Sequence, residues 1–456
     1  MNKENVLGQE KIPSLLAKFA IPSVIAMLIG AFYNIVDQFF IGNSVGFLGN
    51  AATNVAFPLV SLCVSVSLLI GMGAAANFNL NMGSKREEEA KKYIVNAFFM
   101  IILIGIIITV FVRVFLSRLL IVFGATDEIM DYAISYTSIT SYGFIFLIIT
   151  NAGTTLIRAD GSPGYSMFAS VIGGLINLIL DPIFIFVFDM GVAGAAIATV
   201  AGQIISALFV IGYAFRFKTV DIRLSDFKLG FSYMVDIAKL GLAPFFNQVA
   251  ILLVQVVINN SLVHYGPMSP YGAEIPLAVV GIGMKLNMIF FSCAIGISQG
   301  MQPIVSYNYG AKEYDRVKKT YLISAAAASI ILFVAFLLFQ LIPEQLLGLF
   351  GGGDEKYFEF GRIFFRGFLM MTFINGVQVM SSSLFTSIGK PHKGILVSLS
   401  RQLILFVPLA LILPRFLGIY GIVLTGPIAD FLAFVVAIFL VRGEFKDFER
   451  RKLKGI

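Results

Sequence analysis

Four residues carry the chemistry that this chain offers. Asp37 lies in FYNIVDQFFIG, Asn177 and Asp181 in NLILDP, and Thr199 in GVAGAAIAT, each inside a long apolar run. A carboxylate in such a run must be protonated, paired or bound to a cation. Asn177 and Asp181 stand at i, i+4 and share one helical face. Pro182 removes a backbone donor and frees carbonyl oxygens in the turn before it. Amide, carboxylate and freed carbonyl oxygens suit a hard cation such as Na+, or a transferable proton. Thr199 sits among small residues that permit close helix approach, and beside a carboxylate pair its hydroxyl becomes a ligand. Asp37, Asn177, Asp181 and Thr199 are therefore the expected ion-coupling site, and the expected metal ligands if the ion is Na+. Each has a plainer reading. Asp37, only five residues before Gly42, could be a helix-end residue that reaches the headgroups. The Asn177–Asp181 pair could be a packing amide and a cap on a kink, and Thr199 a packing residue.

The second half of the chain has its own intramembrane charges, Lys285 in VVGIGMKLNMIFF and Asp430 in LTGPIADFLAF. Both are expected to face the protein interior. A Lys285–Asp430 pair is one arrangement, and the sequence leaves open whether such a pair is structural or a switch. With Asn34, Gln38, Gln203, Gln255, Asn259, Asn287 and Gln378, they are the expected lining of a substrate cavity. Gln299, Gln302 and Asn375 belong to the same polar set. The plainer reading makes most of these amides helix-to-helix hydrogen bonders. The 45 Phe and 16 Met suit an adaptable apolar pocket, and equally lipid-facing and core packing. No catalytic constellation accompanies them. His264 and His392 both lie near loops, and Cys63 and Cys293 form no ligand spacing. There is no GxxxxGK[ST] phosphate loop, so ATP is not expected to drive the protein directly. Neither an enzyme nor a cofactor is expected.

Placing buried charges at these positions requires membrane-spanning helices. Hydrophobic residues make up 58% of the chain and charged residues 13%, against roughly 45–50% and about 25% in soluble domains. Spans of about 20 apolar residues give twelve candidates, from near 15–42 to near 418–442. The net charge of +7 suggests neither nucleic acid nor a soluble basic face, because the charges sit in short loops between spans. Lys85, Arg86, Lys91 and Lys92 follow the second span, Lys312, Arg316, Lys318 and Lys319 the eighth, and six basic residues the last. The alternate loops hold few, chiefly Arg113, Arg118, Lys356 and Arg415. Both termini are therefore expected in the cytoplasm.

The chain also repeats. GSKREEEAKKY around Gly83 echoes GAKEYDRVKKTY around Gly310. At the same spacing Gly73 falls on Gly300, and Gly191 and Gly194 on Gly418 and Gly421. One residue further on, Gly161 and Pro163 fall on Gly389 and Pro391. AKFAIP at 17–22 echoes AKLGLAP at 238–244. Six spans per repeat make the halves parallel, related by an axis along the membrane normal. The expectation is an all-α membrane protein: a six-helix lobe at 1–216, a cytoplasmic linker at 217–233, a second lobe at 234–442 and a basic tail at 443–456. The Asp37–Asp181 cluster is confined to the first lobe, although the scaffold is duplicated.

At these residues the chain resembles the multidrug and toxic compound extrusion (MATE) family. The match covers nearly the whole chain: AxPxxI at 20–25, VDxxFIG at 36–42, NxxLDPxxIF at 177–186 and GVxGAAIAT at 191–199. The resemblance implies two six-helix lobes around a cleft that opens alternately to each side. It implies efflux of amphipathic, often cationic compounds in exchange for H+ or Na+, by a monomer among membrane lipids in a bacterial inner membrane. It also implies an ion site formed by Asp37, Asn177, Asp181 and Thr199. The branch with acidic residues in spans seven and ten is not matched. Span seven has Asn247, Gln248 and Gln255, and span ten Asn375 and Gln378, which points to the damage-inducible and MepA-like bacterial branches. The alternative is an exporter or flippase of lipid-linked or other small solutes on the same scaffold. That would call for a strongly basic cavity, where Lys285 stands nearly alone.

Overall fold

The computed structural model describes residues 6–222, 229–350 and 353–454. Among them, twelve helices are long and apolar enough to cross a membrane. In chain order they are α1 (Ile12–Val45), α2 (Leu48–Gly83), α3 (Glu87–Val114), α4 (Asp127–Ala159), α5 (Pro163–Val187), α6 (Gly191–Ala214), α7 (Phe231–Met268), α8 (Glu274–Gly310), α9 (Tyr314–Leu341), α10 (Glu355–Ser387), α11 (Pro391–Leu417) and α12 (Ile419–Leu453). The spans run from 24 to 38 residues, longer than the roughly 20 that a bilayer needs. Large apolar side chains stay outside, such as Phe416 at 80% and Phe439 at 77% exposure. Hydrocarbon, not water, is the solvent that such a surface requires.

Two lobes of six helices meet across a duplicated seam. A Cβ on Gly83 of α2 would stand 2.0 Å from the Tyr307 carbonyl oxygen of α8. A Cβ on Gly310 of α8 would stand 2.1 Å from the Leu80 carbonyl oxygen of α2. Leu80 and Tyr307 are themselves partners at the repeat spacing, so these contacts are one contact seen twice about a two-fold axis. The pattern recurs one step out. Gly73 of α2 lies on Ile237 of α7, and Gly300 of α8 on Ala20 of α1. Only glycine lets backbones approach so closely. The loops after α2 and α8 match as well, with Lys85 and Lys312 both at left-handed φ, 59° and 62°. Twelve spans put both termini on this face of the molecule.

Toward the opposite face the lobes part. The last ties are Gln248 Nε2 to Ser61 Oγ at 3.4 Å and Gln299 Nε2 to the Met27 sulfur at 3.6 Å. Beyond them the same helix faces carry exposed residues: Asn34 on α1, Asn54 on α2, Gln255 and Asn259 on α7, and Lys285 on α8. The seam is thus closed on the face of the termini and opens as a cleft on the other.

Behind α6, Asp160 holds the chain that leads out of the first lobe. Its carboxylate accepts from the Tyr213 hydroxyl at 2.6 Å, the Lys218 backbone N–H at 2.7 Å and the Thr219 backbone N–H at 2.9 Å. Lys3, Arg223 and Lys228 lie outside the described residues.

Candidate functional site

The first lobe brings the four expected ion-site residues together. Gly173 of α5 and Gly202 of α6 rest on each other, with a Cβ on either standing 2.4–2.5 Å from the other's carbonyl oxygen. That contact draws the α5 face bearing Asn177 and Asp181 onto the α6 face bearing Thr199. Asn177 Nδ2 donates to Asp181 Oδ1 at 3.1 Å and reaches Thr199 Oγ1 at 3.3 Å. Asp37 arrives from α1, its carboxyl group within hydrogen-bonding range of that of Asp181. Asp181 is fully buried and Asn177 is 3% exposed. A π-helical turn, Ile183–Val187, follows Pro182, the kind of local irregularity that marks functional helices.

Three oxygens in this cluster, Asp37 Oδ1, Asn177 Oδ1 and Asp181 Oδ2, are buried with no hydrogen-bond partner. Buried acceptors without donors call for something to bind. Two facing carboxylates call for a proton or a cation between them. The described residues contain no cluster of three or more His, Cys, Asp or Glu. The donor set here is two carboxylates, an amide and a hydroxyl, the oxygen chemistry of a proton or a small hard cation.

Two tyrosines complete the site, and sequence reasoning did not single them out. Tyr136 of α4 is buried and its hydroxyl lies near that of Thr199. Tyr33 of α1, one turn before Asp37, packs on Gly174 and lies within electrostatic reach of both carboxylates. Their spacing held a signal: Tyr33 and Asp37 stand at i, i+4 on one helix face.

The MatE family model matches residues 22–183 and 245–412, one stretch in each lobe. The chain belongs to this family of multidrug efflux transporters. It is 24% identical over 444 residues to the multidrug export protein MepA of Staphylococcus aureus (strain MSSA476), covering 97% of this chain and 96% of that one. It is likewise 24% identical over 440 residues to MepA of Staphylococcus haemolyticus (strain JCSC1435), covering 95% and 94%. A solved structure described as the outward-facing conformation of a multidrug resistance MATE family transporter superposes with a TM-score of 0.90, at 23% identity over 97% of this chain and 98% of that one. The shared fold is a multi-pass membrane protein of two helical lobes.

In the second lobe Lys285 and Asp430, whose pairing the sequence left open, do not pair. Asp430 is 4% exposed and is held by Arg401 of α11, whose Nε donates to Oδ1 at 2.5 Å. Asn375 Nδ2 of α10 donates to its other oxygen at 2.9 Å. Lys285 is exposed, and among the described residues no carboxylate lies within ion-pair distance of it. Arg401 and Asn375 already occupy both oxygens of Asp430. Arg401 sits in a π-helical segment, Ser400–Phe406, and was the missed partner.

The remaining polar residues divide. Asn34, Gln38, Gln255 and Asn259 lie on cleft-side helix faces at least partly exposed. Gln203 stands one turn beyond Thr199, its Oε1 buried without a partner. Asn287 Oδ1 is buried and unpartnered too. Gln378 is buried and reaches the Val397 carbonyl at 3.4 Å, and Gln302 bonds the Met72 carbonyl at 3.0 Å. Those two tie helices together and do not line the cleft.

Proposed function

We propose that this chain is a secondary active exporter that moves amphipathic compounds out of the cell in exchange for H+ or Na+ by alternating access. The observation that carries the reading is the Asp37–Asp181 pair with its unpartnered oxygens, buried in one lobe beside the cleft. α1 links the parts. It bears Asp37 on one side, Asn34 and Gln38 on the cleft side, and Ala20 and Val24 in the closed seam. An ion that neutralises the carboxylates changes how α1 sits against α5 and α6, and the same rigid helix forms both cleft and seam. Exchange follows if ion and compound favour different lobe arrangements, since a ligand shifts only states that it binds unequally.

The lysines and arginines at the termini face make that face cytoplasmic, so the cleft described above opens outward. On this reading 1–216 and 234–442 are the moving lobes, 217–233 joins them, and 443–456 lies at the cytoplasmic surface. The multidrug export named for the relatives supports compounds of mixed chemistry as cargo. The test is accumulation of a fluorescent dye in vesicles under an imposed proton or sodium gradient. Uptake driven by one gradient and collapsed by the matching ionophore is expected. Uptake indifferent to both gradients would sink the proposal.

A further inference from the structure

Lys285 puts a fixed positive charge on the cleft side of α8, about three turns from Glu274 on the same stripe. On α8, Gly296 and Gln299 face α1, through the close approach of Gly296 to Val24 and the contact of Gln299 with Met27. At about 100° per residue, Lys285 lies within about 20° of Gly296 around the helix, three turns nearer the open end. Ala278, Gly281 and Met288 share its stripe and are exposed with it. The stripe is therefore the continuation of the surface that closes against α1. It opens onto the cleft and not onto lipid, where an ammonium group would be expensive.

The other three helices of the cleft continue their seam faces with neutral groups. Asn34 and Gln38 continue Ala20 and Val24, Leu62 continues Leu69, and Gln255 and Asn259 continue Gly241 and Gln248. In the open halves of α1, α2, α7 and α8 the charged residues are Asp37, Glu274 and Lys285. Asp37 is turned into the first lobe toward Asp181. Glu274 begins α8, about 16 Å up the helix from Lys285 at 1.5 Å per residue. Among the described residues no carboxylate forms an ion pair with Lys285. An ammonium group on a cleft wall that otherwise carries amides and apolar side chains attracts an acid group on an amphipathic body.

We infer that Lys285 makes the cleft selective for amphipathic compounds that carry a carboxylate or similar acid group, zwitterions included, over those that carry positive charge alone. This rests on the exporter reading and narrows its cargo.

A matched pair of dyes tests it: rhodamine 110, with a free carboxyl group, and its methyl ester, which differs only in masking that group. Affinity is read by fluorescence anisotropy on the purified full chain, which needs no gradient. Wild type is expected to bind the acid the more tightly. Lys285→Met should weaken acid binding up to about fivefold, the worth of a charge pair at an exposed lysine, and leave the ester within about twofold. Lys285→Arg should keep the preference, which a merely structural loss would not. Equal loss of both dyes, or no change in either, overturns the inference. The exporter reading fails separately, if wild type binds the dyes but no gradient moves them in vesicles.

Discussion

Arg401 and Asp430 form a buried ion pair between α11 and α12, Nε to Oδ1, with Asn375 on the second carboxylate oxygen. In the first lobe Asp37 and Asp181 have no basic partner among the described residues, whereas here the cation comes from the chain itself. The pair is thus a fixed charge balance within the second lobe. Removing one partner strands the other.

Arg401→Met should destabilise the protein by about 3–5 kcal/mol, the usual cost of an uncompensated buried charge. Arg401→Met combined with Asp430→Leu should recover most of that, since neither charge remains. The readout is thermal unfolding in detergent with a thiol-reactive dye, because the chain has no tryptophan but does have Cys63 and Cys293. A double variant no more stable than the single one would show that the pair is not the issue.

The glycine seam gives a second expectation. Gly83→Ala would put a methyl carbon 2.0 Å from the Tyr307 carbonyl oxygen, and backbone cannot give way as a flexible side chain does. The closed face should be forced apart. By the two-fold relation, Gly310→Ala should do the same. Gly164→Ala is the control, with nothing within 4 Å of its Cβ. Labelling of a cysteine placed at Gln302 from the termini face should rise in the first two variants and not in the third. Equal labelling in all three would show that the seam does not hold that face shut.

Asp160 links stability to pH. Its carboxyl group is pushed above the ordinary value of 3.8 by burial, against the donors from Lys218, Thr219 and Tyr213 that favour its charged form. A carboxyl raised in the folded state binds more protons there than in the unfolded chain. Its contribution is therefore present below about pH 3.8 and is lost as pH rises through the raised value, remaining flat above it. Asp160→Asn should flatten the part of the thermal midpoint profile that falls over that window. An unchanged slope would assign the pH dependence to other groups.

How far the sequence reached depends on what hydropathy can and cannot encode. Twelve spans and the duplication were legible because apolar runs and paired glycines such as Gly83 and Gly310 are one-dimensional signals. Asn177, Asp181 and Thr199 were legible because a polar group in such a run is costly wherever it points. What was lost is helix rotation. The spans are apolar nearly all round, so nothing in the run told that Asp430 turns to Arg401 and not to Lys285. Arg401 itself disappears into an apolar window as one charge among many hydrophobes. In the sequence Tyr33 and Tyr136 are two more aromatics in apolar runs, and only the fold brings both near the carboxylates.

The sharpest expectation concerns Asp37 and Asp181. Their carboxyl groups are within hydrogen-bonding range of each other, and one oxygen of each is buried without a partner. Two like charges so placed need a proton or a cation between them. An Asn at either position keeps the shape and the hydrogen bonding but removes a charge, and with it the pair's call for a neutralising ion. Asp37→Asn and Asp181→Asn should therefore insert and fold normally, yet lower gradient-driven dye transport in vesicles to the level of protein-free controls. Thr199→Ala removes one neutral oxygen and no charge, at the worth of about 1 kcal/mol for a hydrogen bond, and should slow transport about fivefold. Tyr136→Phe, which deletes a hydroxyl near Thr199, should slow transport no more than that. Binding of the dye to purified protein should survive in all four, because the carboxylates sit inside the lobe and not in the cleft. If both Asp→Asn proteins still concentrate dye against the gradient at the wild-type rate, the carboxylates are structural, and the coupling ion binds elsewhere.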